Sequence, residues 1–170
     1  LAFAIYLGWP MSFFLLLRGY QPGSIPGSGG AWVYLPPGAW WVLTVLIGVW
    51  GFDTAAFFAG HYFGKHQLAP RISPAKTWEG VIGGFVLSIA TTLLLTVIPL
   101  GVPWYLAIIL GIMIGVAAIL GDLAESLIKR QTNVKDSGAI MPGHGGILDR
   151  MDSALFVVIV VYVFSQFVGK

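Results

Sequence analysis

The chain has 170 residues, of which 57% are hydrophobic and only 9% charged, and its formal net charge is +2. Soluble domains carry roughly 25% charged residues, so this composition excludes an ordinary water-soluble globule and describes an integral membrane protein. The small net charge gives no support for a nucleic-acid partner, and the absence of Cys excludes disulfides and thiolate metal sites.

In chain order, hydrophobic segments run over Ala2 to Leu17, Trp40 to Phe63, Gly80 to Leu100, Trp104 to Ile128 and Met151 to Val168. Each is near the roughly 20 residues that a helix needs to cross a bilayer, the first being the shortest. Lipid offers no partner for backbone N–H and C=O groups, so helices are the predicted element. The fold class is therefore all-α, a polytopic membrane bundle of about five transmembrane helices forming one domain over residues 1–170. The first segment lacks the basic leader and small-residue cleavage pattern of a signal peptide. It also begins in mid-hydrophobic run at Leu1, so the chain is expected to be the C-terminal part of a longer one.

The connections alternate sides, and their charges are unequal. Lys65, Arg71 and Lys76 fall in the second connection; Lys129, Arg130, Lys135 and Arg150 fall in the fourth. Only Arg18 and Lys170 remain for the opposite side, so the positive-inside rule puts the second and fourth connections in the cytoplasm. The Gly/Pro/Ser-rich stretch from Gly19 to Gly38 reads as a flexible outer loop. Trp32, Trp40, Trp41 and Trp104 stand near the predicted boundaries, where interfacial aromatics belong.

Acidic residues inside membrane segments are costly and mark function or polar packing. Asp53 lies within the second segment, on a helical stripe with Ala56, Phe57, Gly60 and Gly64. The small members admit a close neighbour, so the stripe is expected to face the bundle centre. A structural Asp bonded between helices is the competing reading. Farther on, Asp122, Glu125, Ser126 and Lys129 share one face of the fourth segment, and Asp149 and Asp152 stand one turn apart at the start of the fifth. Two helices each offering acids at this spacing can converge on a divalent cation. An all-oxygen donor set favours Mg²⁺ or Mn²⁺ over zinc, with the number of ions, one or two, left open. Salt bridges to Lys129, Arg130 and Arg150 are the plainer alternative for any one of these acids.

The connection between those segments contains Lys135, His144 and the glycines Gly143, Gly145 and Gly146. Glycines let backbone N–H groups approach phosphate oxygens, although loops often hold glycines without that role. His144 alone reads equally as a turn-stabilising or a catalytic imidazole. The second connection, read as a loop whose turn begins at Ser73-Pro74, adds Arg71, Lys76, Thr77 and Glu79. Lys76 and Arg71 suit phosphate binding, while a solvated cytoplasmic loop explains them as well.

Taken together, these residues resemble the phosphatidate cytidylyltransferases, or CDP-diacylglycerol synthases. The resemblance rests on Ser126, Lys129, Arg130, Lys135, Asp136, Pro142, Gly143, His144, Gly145, Gly146, Asp149, Arg150 and Asp152 in the family's signature order. Asp53 with Gly60 and Gly64, the run Ser73 to Gly80, and Gly121-Asp122 extend it to about residues 50–153. It implies transfer of the cytidylyl group from CTP to phosphatidic acid, giving CDP-diacylglycerol and pyrophosphate for phospholipid synthesis at the cytoplasmic face of a bacterial inner membrane. It further implies Asp122, Asp149 and Asp152 as metal ligands, with Asp53 and Glu125 as weaker candidates. Lys129, Arg130, Lys135 and Arg150 would contact phosphates, Gly143, Gly145 and Gly146 would cradle them, and Arg71 and Lys76 would close the site. His144 would orient a phosphate or protonate the leaving pyrophosphate. A CTP-dependent lipid kinase is the nearest rival and a transporter the rival from another class, though acids crowded beside one loop fit a transporter poorly. Glycines at 60, 64, 83 and 84 suit a homodimer interface or packing within one subunit equally.

Overall fold

The computed structural model describes residues 2–20, 35–70, 73–131 and 152–168, excluding the side chains of residues 2–7, 74, 128–131 and 152. Helix α1 covers Ala2–Arg18 and α2 covers Pro37–Phe63. A hairpin of β1 (Gln67–Ala69) and β2 (Ser73–Thr77) leads into α3, Trp78–Thr92. A π-helical turn over Leu93–Val97 joins α3 to the short α4, Ile98–Leu100, and α5 (Trp104–Gln131) and α6 (Asp152–Val168) follow. The architecture is a helical membrane bundle, as its composition requires.

Helix ends follow local chemistry. Pro37 opens α2 at a position where its missing N–H costs nothing and its fixed φ suits a helix. Thr77 caps α3 by accepting the Gly80 N–H at 3.2 Å. Gly101, at φ 66°, closes α4 in the left-handed region, where a side chain would be strained. Its N–H donates to the Val97 carbonyl at 3.1 Å, and Val102 N–H to that of Thr96 at 3.2 Å.

Among the described residues, three stretches are long and apolar enough to cross a membrane: Pro37–Phe63, Trp78–Leu100 and Trp104–Leu127. Ser153–Val168 is apolar but shorter. The expectation of five spans is thus met in full length by three. Their outward faces expose Phe58, Ile82, Val86, Leu94, Ile98 and Leu120, an apolar surface that water would not tolerate and lipid does.

The core forms where α2, α5 and α6 meet, around Trp41, Val45, Val49, Ile114, Val158 and Val161. Trp41 corrects one expectation. It is fully buried, edge-on to Phe164 with ring centroids 6.4 Å apart, and so belongs to the core and not to an interfacial belt. Trp40 is only partly buried and Trp104 is 65% exposed, while Trp32 lies outside the described residues. Proximity to a helix end does not tell which way an indole points; the packing of α6 does.

Helix α3 is sewn to α5 by hydroxyls. Ser88 Oγ donates to the Gly111 carbonyl at 2.9 Å, and Thr92 Oγ1 lies 3.0 Å from that of Ala107. These bonds need the helices very close, which Gly111 allows: a Cβ there would sit 2.7 Å from Ile89 Cα and 2.7 Å from Thr92 Oγ1. We therefore expect Gly111→Val to cost about 1–3 kcal/mol through overpacking against backbone. Unfolding of the purified protein in detergent measures it; an unchanged transition would show that α3 and α5 can separate freely.

The glycines of α2 and α3 are also used within the subunit. A Cβ at Gly84 would meet the Phe52 ring at 2.7 Å, at Gly83 the Ala59 Cβ at 2.5 Å, and at Gly60 and Gly64 the Thr77 side chain at 2.9 and 2.8 Å. These four glycines thus serve close packing within the subunit.

Candidate active site

The segment read as a loop before the third span is instead an antiparallel hairpin, with Gln67 opposite Thr77 and Ala69 opposite Ser73. Strands of three and five residues, one opening on Ser-Pro, are too short to show an alternating pattern. The hairpin packs over the end of α2, the start of α3 and the C-terminal part of α5. Between them lies a cavity of about 330 Å³. Its polar lining comes from Asp53, Ser73, Lys76, Thr77 and Asp122. Phe52, Phe57, Leu68, Val81 and Ile119 make the apolar wall.

Lys76 is the decisive residue. Its Nζ forms an ion pair with Asp122 Oδ2, bridging the hairpin to α5. The two side chains are 22% and 37% exposed, so Lys76 is a paired, partly shielded charge at the cavity. The contact also places the hairpin beside the C-terminal part of α5. A pair this open to solvent contributes at most about 1 kcal/mol to stability, so either partner can be recruited by a more highly charged ligand.

Asp53 joins the same cavity by a different route from the one expected. The stripe of α2 does not turn as a unit to the bundle centre. Ala56 and Gly60 press on α3, where a Cβ at Gly80 would lie 2.6 Å from the Ala56 carbonyl oxygen. Phe57 is 67% exposed and Asp53 is exposed to the cavity opening. The small residues of the stripe thus pack on α3, while Asp53 lines the cavity.

The shared face of α5 also divides. Asp122 lines the cavity, whereas Glu125 is buried in the bundle and does not line it; Ser126 is partly buried. Three residues advance a helix by about 300°, so Glu125 sits some 60° away, enough to change neighbours. The helix continues to Gln131, which carries Lys129 and Arg130 on regular backbone. Arg71, Lys135, Gly143, His144, Gly145, Gly146, Asp149, Arg150 and the side chains of Lys129, Arg130 and Asp152 lie outside the described residues. Among the described residues, no group of three or more metal-ligating side chains occurs. Two carboxylates and two hydroxyls, from Asp53, Asp122, Ser73 and Thr77, nevertheless line one cavity, a hard oxygen set that fits Mg²⁺ or Mn²⁺.

Sequence reasoning passed over two features here. Thr77 both caps α3 and lines the cavity. Glu79 turns away from the cavity to His66, whose Nδ1 lies 2.7 Å from Glu79 Oε1.

Residues 3–168 match the model of the cytidylyltransferase family. The chain belongs to that family. Among its relatives, the phosphatidate cytidylyltransferase of Bacillus subtilis is 38% identical over 160 residues, covering 94% of this chain and 54% of that protein. The phosphatidate cytidylyltransferase of Staphylococcus saprophyticus is 45% identical over 121 residues, covering 71% and 46%. That of Mycobacterium bovis is 39% identical over 127 residues, covering 75% and 42%. The chain thus spans about half the length of these relatives. Family membership places Lys76 and Asp122 in a protein class concerned with cytidylyl transfer, and the cavity they share is the candidate site for it.

Proposed function

We propose that this protein transfers the cytidylyl group of CTP to phosphatidic acid, releasing pyrophosphate, at the cytoplasmic face of a bacterial inner membrane. The observation that carries this reading is the Lys76–Asp122 pair in a partly polar cavity at the edge of apolar helices, within the cytidylyltransferase family. The homologues' names supply the lipid acceptor, and the loop charges supply the side.

In the proposed reaction an oxygen of the phosphatidate phosphate attacks the α-phosphorus of CTP, and the bond from that phosphorus to the β-phosphate bridging oxygen breaks. The acceptor is already an anionic nucleophile, so no activated Ser or Cys is needed. The burden is to bring two anions together and to stabilise the departing pyrophosphate. Lys76 leaves Asp122 to meet a phosphate oxygen, and Lys129, Arg130, Lys135 and Arg150 add positive charge from the fourth connection. Gly143, Gly145 and Gly146 offer backbone N–H groups, His144 holds a proton for the leaving group, and Arg71 closes the site from the hairpin turn. Asp122, Asp149 and Asp152, with Asp53 as a weaker candidate, would hold Mg²⁺ or Mn²⁺, which when bound neutralises phosphate charge. The apolar wall of Phe57, Leu68 and Ile119 gives the lipid's glycerol region a non-aqueous neighbour.

The test is direct. Purified protein in detergent, given phosphatidic acid, CTP and Mg²⁺, is expected to form CDP-diacylglycerol and pyrophosphate in equal amounts. Formation of CDP with a phosphorylated lipid instead would identify a kinase and overturn the proposal.

A further inference from the structure

We propose that Glu79 is a positioning residue: by clasping His66 at the open end of the hairpin, it fixes the register in which β2 presents Lys76 to the cavity. This rests on the reading of Lys76 as a phosphate-binding residue. Three bonds meet at that end. Trp78 N–H donates to the His66 carbonyl at 2.9 Å, His66 N–H donates to Glu79 Oε2 at 3.3 Å, and His66 Nδ1 lies 2.7 Å from Glu79 Oε1.

The location of Glu79 is unusual for a helix start. A Glu that reaches back to its own N-cap stands three residues after it, in the capping-box position. Here Thr77 is the N-cap and Gly80 occupies that position, so Glu79 stands one residue early. It is thereby free to leave the helix axis and grip the preceding strand. Its side chain is 25% exposed and His66 is 77% exposed, so the carboxylate is the anchored partner and the imidazole the one it holds.

The hairpin has need of such a clasp. Two strands of three and five residues form a marginal ribbon by themselves. Their pairing is further disturbed by a register irregularity between Gln67 and Ala69. In a strand, a slip of one residue turns every side chain to the opposite face. Such a slip would carry Lys76 away from Asp122. The clasp ties the residue beside Gln67 to the first turn of α3, and α3 is itself locked on α2 through Gly80 and Gly84. The register of a weak hairpin is thus set from a rigid helix.

A double-mutant cycle on the purified protein tests this, reading kcat and KM for CTP in Lys76→Ala, Glu79→Ala and the double variant. Glu79→Ala is expected to lower kcat/KM by about 10-fold, in the same parameter that Lys76→Ala moves, and by less than about 2-fold once Lys76 is already Ala. Glu79→Gln, which keeps a carbonyl acceptor for the His66 N–H, should restore most of the loss. Equal losses in both backgrounds, or no loss from Glu79→Ala, would overturn the positioning role while leaving the proposed reaction intact. A Lys76→Ala variant with normal kinetics would instead overturn the reading of Lys76, and the inference with it. If Glu79→Ala does not fold, His66→Ala at its exposed position removes only the side-chain half of the clasp. It is expected to cost about 3-fold, again only when Lys76 is present.

Discussion

Asp122→Asn is expected to lower turnover by about 10²–10³-fold, the range seen when one electrostatic contact to a transition state is removed. The amide keeps the size of the carboxylate and loses its charge. It can no longer hold a hard cation strongly, nor repel an incoming phosphate away from the wrong face of the cavity. Asp149→Asn and Asp152→Asn are expected to act on the same scale, because the proposed site draws its ligands from both helices. The control is structural: each variant should remain monodisperse in detergent, since the Lys76–Asp122 pair is too exposed for its loss to unfold the bundle. Near-normal activity of Asp122→Asn at saturating Mg²⁺ would remove Asp122 from the site.

Lys76→Ala should reduce kcat/KM for CTP by about 10²-fold, corresponding to about 2.7 kcal/mol of lost transition-state stabilisation. The ion pair suggests a competing structural explanation, that Lys76 merely neutralises Asp122, and the two separate cleanly. If neutralisation were its whole purpose, adding Lys76→Met to Asp122→Asn would cost no more activity than Asp122→Asn alone. On the phosphate-binding account the combined variant is clearly more impaired than Asp122→Asn. Lys76→Arg should recover only part of the rate, because a planar guanidinium does not replace a compact ammonium at a fixed distance. Increasing salt should weaken CTP binding to the wild-type protein more than to Lys76→Ala, since one charge–charge attraction is missing from the latter.

Much of this protein is determined by its sequence. Uninterrupted apolar runs dictated helices because lipid leaves backbone groups no other partner. The predicted ends of the segments fall within a few residues of α2, of the stretch from α3 through α4, and of α5. The ordered polar residues from Ser126 to Asp152 pointed to the family that residues 3–168 then matched. Charge placement on the second and fourth connections implied that they share a side.

Other properties depended on partners far along the chain, and only tertiary structure decided them. The direction of Trp41 follows from where Phe164 packs, and the place of Asp53 in the cavity from the hairpin and α5 that close over it. The hydroxyl bonds of Ser88 and Thr92 follow from the close approach of α5 at Gly111. The hairpin was hidden because its strands are too short for a period, and its register is held by Glu79, a residue of the next helix. Hydrophobic runs record whether a segment is buried in lipid. They do not record which neighbour each side chain meets, because that depends on helix rotation, and a few tens of degrees separates Asp122 in the cavity from Glu125 in the core.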